Sequence, residues 1–266
     1  MDEHCGWVFR DERDDPVSTS EGHGSFDCTG CVPDPLGCAR SVRDLYAEDD
    51  TKFSVPVLYD AGTKTIANNE SSDILRILNG WPGQQMRTTI DLYPPDDRAE
   101  IDRINDFVYS NINNGVYRCG FATTQHAYDE AVSALFAALD KCDRILSKQR
   151  WLANTKELSE ADIRLFVTLI RFDAVYVVYF KTNVKTIREY EHLREYVLDV
   201  LATYPEVARS VDMNHIKRHY FGSHAKLNPY GIVPRGPDAW WDDVVRPSSR
   251  SVRLGRRGVA FEVTAV

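Results

Sequence analysis

The sequence predicts a small α/β domain followed by an all-helical one. Three observations carry this. Two short β-like runs lie close together before residue 70, a proline-rich loop follows near residue 90, and beyond it apolar residues recur at helical spacing.

Residues 1 to 35 are crowded with Asp, Gly, Ser and Pro, hold no sustained apolar period and read as irregular. A short helix is expected over Ser41 to Ala47, on Val42, Leu45 and Tyr46. Phe53 to Tyr59 reads as a strand with Pro56 inside it. Asp60 to Thr63 is a turn and Thr65 to Ala67 a second strand, so the pair predicts a hairpin. Asn69 to Ser72 supply N-cap chemistry for a helix carrying Ile74, Leu75, Ile77 and Leu78, stopped by Trp81, Pro82 and Gly83.

Four further helices follow the loop around Tyr93, Pro94 and Pro95. Their apolar faces are Ile101/Ile104/Val108/Ile112, Tyr128/Val132/Leu135/Leu139/Cys142/Leu146, Ile163/Val167/Ile170/Ala174 and Leu193/Val197/Leu201. A capping box, Ser159 with Asp162, opens the third, and Tyr204 and Pro205 end the fourth. The expected boundaries are 1–90 for the α/β part, 91–240 for the helical part, and 241–266 for a disordered tail.

The chain has 266 residues, of which 43% are hydrophobic and 27% charged, a globular composition. Its longest apolar run, Ala174 to Phe180, is far short of the ~20 residues that span a bilayer. The acidic start, Met1 to Cys5, is not followed by an apolar signal region, so a soluble cytoplasmic protein with no membrane partner is expected. Residues 1 to 50 carry 13 Asp/Glu against 4 Arg, and the net charge of −8 therefore sits in that segment. A nucleic-acid partner is not expected, since the one basic stretch, Arg246 to Arg257, reads as tail.

Cys28 and Cys31 form a CxxC in a loop, without the strand-to-helix context of a thioredoxin motif. Incidental loop thiols are the first reading, with a redox pair or a zinc site including Cys5 and Cys38 as alternatives. Cys119 and Cys142 read as small core residues. His215, His219 and His224 lack an identifiable further ligand, so no metal is expected and the segment reads as structural.

A proline within a strand removes a ladder donor. In thioredoxin-like domains such a proline is cis and leaves the preceding residue's N–H and C=O free to pair with the cysteinyl backbone of glutathione. Val55–Pro56, followed by Asn69, Glu70 and Ser71 at a helix start, has that pattern. Three longer segments, Asn113–Gln125, Glu160–Asp173 and Asn228–Pro237, together with Val55–Asp60, Asn68–Ser72 and Gly6–Phe9, resemble the glutathionyl-hydroquinone reductases, the Xi class of glutathione transferases. The resemblance covers residues 6 to 240. It implies a thioredoxin-like domain followed by a glutathione transferase helical domain, with glutathione as co-substrate, quinone-derived partners and a homodimer. It implies a glutathione site at Trp7, Val55, Pro56, Glu70 and Ser71, and a hydroquinone side at Tyr117 and Tyr220.

The implied reaction is thiol transfer: a Cys thiolate takes the glutathionyl group from a glutathionyl-hydroquinone, and a second glutathione resolves the mixed disulfide. The family's nucleophile lies in a Cys-Pro-Trp motif, which these 266 residues do not contain. The first β-α-β unit is accordingly expected to be missing, the catalytic residue is unassigned, and activity in this chain is doubtful. The alternative is a non-catalytic glutathione transferase-like binding protein or a partial gene model.

Overall fold

Pro56 shortens the first strand. In the computed structural model, which describes residues 6–19, 22–46, 53–81, 90–237 and 239–241, the Val55–Pro56 bond is cis. Strand β1 comprises only Leu58–Asp60 and pairs antiparallel with β2, Thr65–Asn68. The expected strand over 53–59 is thus corrected to its last two residues and Asp60. Ladder pairing starts only beyond the proline, with a register shift between Leu58 and Tyr59. Asp60 Oδ1 closes the hairpin by accepting the Gly62 N–H at 2.8 Å. The short helix expected over 41–47 is a single 3-10 turn, Val42–Leu45; Ala47 lies outside the described residues.

Helix α1, Ser71–Asn79, buries Ile74 and ends at Gly80. Glu70 is its N-cap residue, but no side chain caps it. Asn68 Oδ1 instead accepts the Glu70 N–H at 2.7 Å, which corrects the expectation that Asn69 to Ser72 supply the cap. Of the expected stop signal, Trp81 is exposed, while Pro82 and Gly83 lie outside the described residues.

The chain divides into two compact units, and Arg218–Val233 groups with residues 1–91. Within this first unit the long irregular segment has two antiparallel bridges, Val8 with Ser41 and Val17 with Phe26. A Cβ on Gly222 or Gly231 would stand 3.1 Å from the Phe26 ring, so both glycines let the backbone approach that ring. Gly231 also has φ +62° and closes a turn onto the Asn228 carbonyl. Asn228 Nδ2 donates to the Phe221 and Ile232 carbonyls at 2.8 and 2.9 Å. Arg218 joins Asp27 at 3.2 Å. The Asn228–Pro237 motif is therefore in part a scaffold for the N-terminal segment. The two-stranded sheet is consistent with an incomplete thioredoxin-like domain.

The second unit is helical: α2 Arg98–Val108, α3 Asn114–Gly120, α4 Gln125–Leu146, α5 Glu160–Arg171, α6 Val177–Tyr179, α7 Glu191–Thr203 and α8 Pro205–Ser210. Helix α9, Met213–Ser223, runs from this unit into the first. Two π-helical turns, Tyr109–Asn113 and Phe172–Tyr176, join α2 to α3 and α5 to α6. The expected faces of α2, α4 and α7 are buried, with Tyr128 the exception at the start of α4. On α5 the expected face holds in part: Ile170 and Ala174 are buried, Ile163 is half-buried and only Val167 is exposed, at 40%. Leu165, Phe166 and Leu169 also face the core. Ile163, Val167 and Ile170 line a cavity of about 200 Å³ with Val200 and Ile216.

Asp162 holds the start of α5. Its carboxylate accepts the Leu152 N–H (2.7 Å), the Ser159 N–H (3.0 Å), the Ser159 hydroxyl (2.8 Å) and the Tyr196 hydroxyl (3.2 Å). It is fully buried; burial pushes its pKa above the usual carboxylate value, and these donors pull the other way. Asp162→Ala leaves several buried donors unpaired. At roughly 1–3 kcal/mol for each orphaned group, we expect a loss of at least about 3 kcal/mol in urea denaturation followed by circular dichroism. A loss below about 1 kcal/mol would show that water readily replaces the carboxylate.

Candidate functional site

Tyr46 helps place the backbone around Val55. Its hydroxyl donates to the Ser54 carbonyl at 2.7 Å and accepts from Asn69 Nδ2 at 3.2 Å, while Asn69 also reaches Ser54 Oγ at 3.3 Å. These bonds tie the residue before Val55 to the residue before Glu70. Arg43 covers the Phe53 ring at 5.0 Å from its centroid, and Tyr46 meets that ring edge-on. Val55 is left 38% exposed, and no hydrogen bond to its N–H or C=O occurs among the described residues. Pro56, Glu70 and Ser71 are exposed as well.

The first-turn amides of α1 belong to Ser71, Ser72 and Asp73, and a helix start leaves such N–H groups without intrahelical partners. Their partial positive charge favours a carboxylate. The Ser71 hydroxyl has no partner among the described residues.

Trp7 stands on a backbone ladder of its own. Its carbonyl accepts the Val42 N–H, and the Phe9 N–H donates to Arg40 O, both at 2.9 Å. The indole is 44% exposed and stacks on the His219 imidazole, with centroids 4.7 Å apart and planes inclined by 22°. His219 Nδ1 lies 3.0 Å from Ser223 Oγ. The sequence reading treats His219 as structural and misses this partnership, because nothing in the spacing of residues 7 and 219 signals it. Tyr220, the next residue, is buried and meets His219 and His224 ring to ring. Burial lowers the His224 pKa.

Tyr117 lies in the second unit, on α3. Its ring is 38% exposed and joins a cluster with Phe121, Tyr176 and Phe180, at centroid distances of 6.4, 6.2 and 5.3 Å. Tyr176 and Phe180 stack on each other at 5.5 Å. The π turn at 172–176 carries Tyr176, a feature that the helical periodicity of α5 does not show.

The cysteines divide by burial. Burial pushes Cys119 up to about 11 and Cys142 up to about 12, as befits core side chains. Cys28 is buried too, with its thiol directed at the Asp15 carbonyl at 3.6 Å and its pKa raised. Desolvation and the Asp34 carboxylate raise Cys38. Cys5 lies outside the described residues. Among the described residues no group of three His, Cys, Asp or Glu side chains is placed to hold a metal ion, and no helix is long and apolar enough to cross a membrane.

Comparison with known proteins fits this arrangement. The family model for the glutathione S-transferase C-terminal domain matches residues 125–198. Glutathionyl-hydroquinone reductase PcpF of Sphingobium chlorophenolicum is 46% identical over 210 residues, covering 77% of this chain and 66% of that protein. Glutathionyl-hydroquinone reductase YqjG of Escherichia coli K-12 is 41% identical over 254 residues, covering 94% of this chain and 71% of that protein. The glutathione-bound structure of YqjG superposes with a TM-score of 0.80 at 38% identity, covering 90% of this chain and 78% of that one. A Xi-class transferase from Natrialba magadii gives 0.81 at 41% identity, over 93% and 71%. The fold is that of the glutathione transferases, and the chain spans about two thirds of the length of these curated relatives. More narrowly, it belongs to the glutathionyl-hydroquinone reductase family, the Xi class of that fold.

Gly120, the last residue of α3, tests how Tyr117 is held. A Cβ there would overlap the Phe180 ring. We expect Gly120→Ala to cost about 1–3 kcal/mol through overpacking. It should also shift the NMR ring resonances of Tyr117 and Tyr176. Unchanged ring signals would show that Tyr117 is positioned independently of Phe180.

Proposed function

We propose that residues 1–266 carry the glutathione- and hydroquinone-binding surfaces of a glutathionyl-hydroquinone reductase. The relationship to PcpF and YqjG carries this reading. The exposed Val55, whose N–H and C=O make no hydrogen bond among the described residues, and the amide-rich start of α1 support it. In this reading residues 1–90 form the glutathione domain, with which Arg218–Val233 groups, and the remainder of 91–240 the helical one.

The γ-glutamyl carboxylate sits at the α1 N-terminus, held by the Ser71 hydroxyl and first-turn amides, with Glu70 facing the γ-glutamyl ammonium. The Val55 N–H and C=O pair with the cysteinyl residue beside Pro56, and Trp7 walls the pocket. Tyr117 on the helical unit and Tyr220 on the first unit are each assigned to hydroquinone recognition, where a hydroxyl donor would favour the departing oxygen. The thiolate step is a separate matter. A nucleophilic cysteine needs exposure and a lowered pKa, whereas Cys28, Cys38, Cys119 and Cys142 all have raised values. We therefore assign binding to these residues and no catalytic thiolate to those four.

Ser71→Ala should weaken glutathione binding by about 1 kcal/mol, roughly fivefold in Kd by calorimetry. Glu70→Ala should also weaken it. With a glutathionyl-hydroquinone as substrate, the chain should release hydroquinone no faster than free glutathione does. Binding unaffected by either substitution would remove the site from α1. Turnover lost in a Cys28→Ser/Cys31→Ser double variant would relocate the nucleophile to that pair.

A further inference from the structure

The geometry points to Cys28 and Cys31 as a thiol pair that closes to an intramolecular disulfide by exchange with glutathione disulfide. The inference is independent of the glutathione site proposed above and rests on the turn that carries the two residues.

The Cys31 N–H donates to the Cys28 carbonyl at 2.9 Å, so Cys28 to Cys31 is a closed four-residue turn. Gly30, the third residue, has φ +78°, as a type II turn requires. Such a turn brings its end Cα atoms within ~7 Å, overlapping the ~4.4–6.8 Å over which disulfides form. The two inner amides are pinned from outside: Thr29 N–H donates to Asp27 Oδ1 at 3.0 Å and Gly30 N–H to Glu12 Oε1 at 2.9 Å. The turn therefore keeps its cysteines together in the reduced state. Independently, the Cys31 sulfur is close enough to contribute to the raised pKa of Cys28. Both cysteines are free thiols here.

Exposure sets the order of events. Cys28 is 3% exposed, whereas Cys31 is partly open. The Cys31 thiolate attacks one sulfur of glutathione disulfide, forming a mixed disulfide and expelling one glutathione thiolate. Cys28 then loses its proton to solvent and attacks the Cys31 sulfur. The Cys28–Cys31 bond forms as the second glutathione leaves. Two protein thiols are oxidised and one glutathione disulfide is reduced to two glutathiones. The turn also has a structural setting: Phe26 and Asp27, just before it, are the residues that meet Gly222, Gly231 and Arg218.

The test is incubation of the full chain with glutathione disulfide, followed by alkylation and peptide mass mapping. The expected product has lost two hydrogen masses, with Cys28 and Cys31 both protected from alkylation and joined in one peptide. Cys28→Ser should instead accumulate a glutathione adduct on Cys31. Cys31→Ser should leave Cys28 reduced. A lasting glutathione adduct on Cys31 in the unsubstituted chain would overturn the proposal, as would pairing of either cysteine with Cys5 or Cys38, or no reaction. Circular dichroism of both variants separates unfolding from altered chemistry.

Discussion

Buried amides at and just before a helix start must find acceptors, and the second unit meets much of that demand with carboxylates, although the first amide of α5, the Glu160 N–H, goes to the Leu92 carbonyl. Asp162 is the centre of this arrangement. It sits inside the helix it begins, yet it also receives the Leu152 amide and the Tyr196 hydroxyl, which come from a loop and from α7. One side chain thereby fixes the register of α5 against two neighbours. Asp143 repeats the device across helices, accepting the His192 and Leu193 amides at the start of α7. Asp173 accepts the Ile187 and Arg188 amides of the following 3-10 turn. These carboxylates carry the polar load, and the apolar stripes of Leu135, Leu139, Leu165, Leu169, Leu193 and Val197 close around them.

The consequence for function runs along the chain. With α5 fixed at its start, the π turn at Phe172–Tyr176 is carried to a defined place, and Tyr176 and Phe180 pack against Tyr117. The Arg150–Asp199 pair, 2.8 Å apart with its carboxylate buried, and the Arg164–Glu160 pair, 2.6 Å apart, are each hydrogen-bonded within this frame. In the first unit the corresponding task falls to local turns and to single long-range contacts. The Tyr46–Ser54–Asn69 bonds and the Trp7–His219 stack are examples.

Legibility in the sequence follows from these differences. Helices α2, α4 and α7 show in the sequence because one side of each is buried along its length, and the Ser159–Asp162 box is a local signal. The face of α5 shows only in part: Ile170 and Ala174 are buried as expected, whereas Val167 is apolar but exposed along a cavity. The β1 strand is overestimated because Phe53 to Val57 are β-like in type while Pro56 breaks the ladder. Val55, Glu70 and Ser71 stand out as a local motif. The partnership of Trp7 with His219 does not, and neither does the grouping of Arg218–Val233 with the first unit. Both depend on contacts about 200 residues apart in sequence, which no periodicity reports.

The central claim, that glutathione is held by the Val55 backbone and the start of α1, is tested most directly by titrating the isotope-labelled chain with glutathione while following backbone amide resonances. The account predicts saturable shifts concentrated at Val55, Ser71, Ser72 and Asp73. Shifts centred on Ile163, Val167 and Ile170 at the α5 cavity, or no saturable shifts at all, would contradict it.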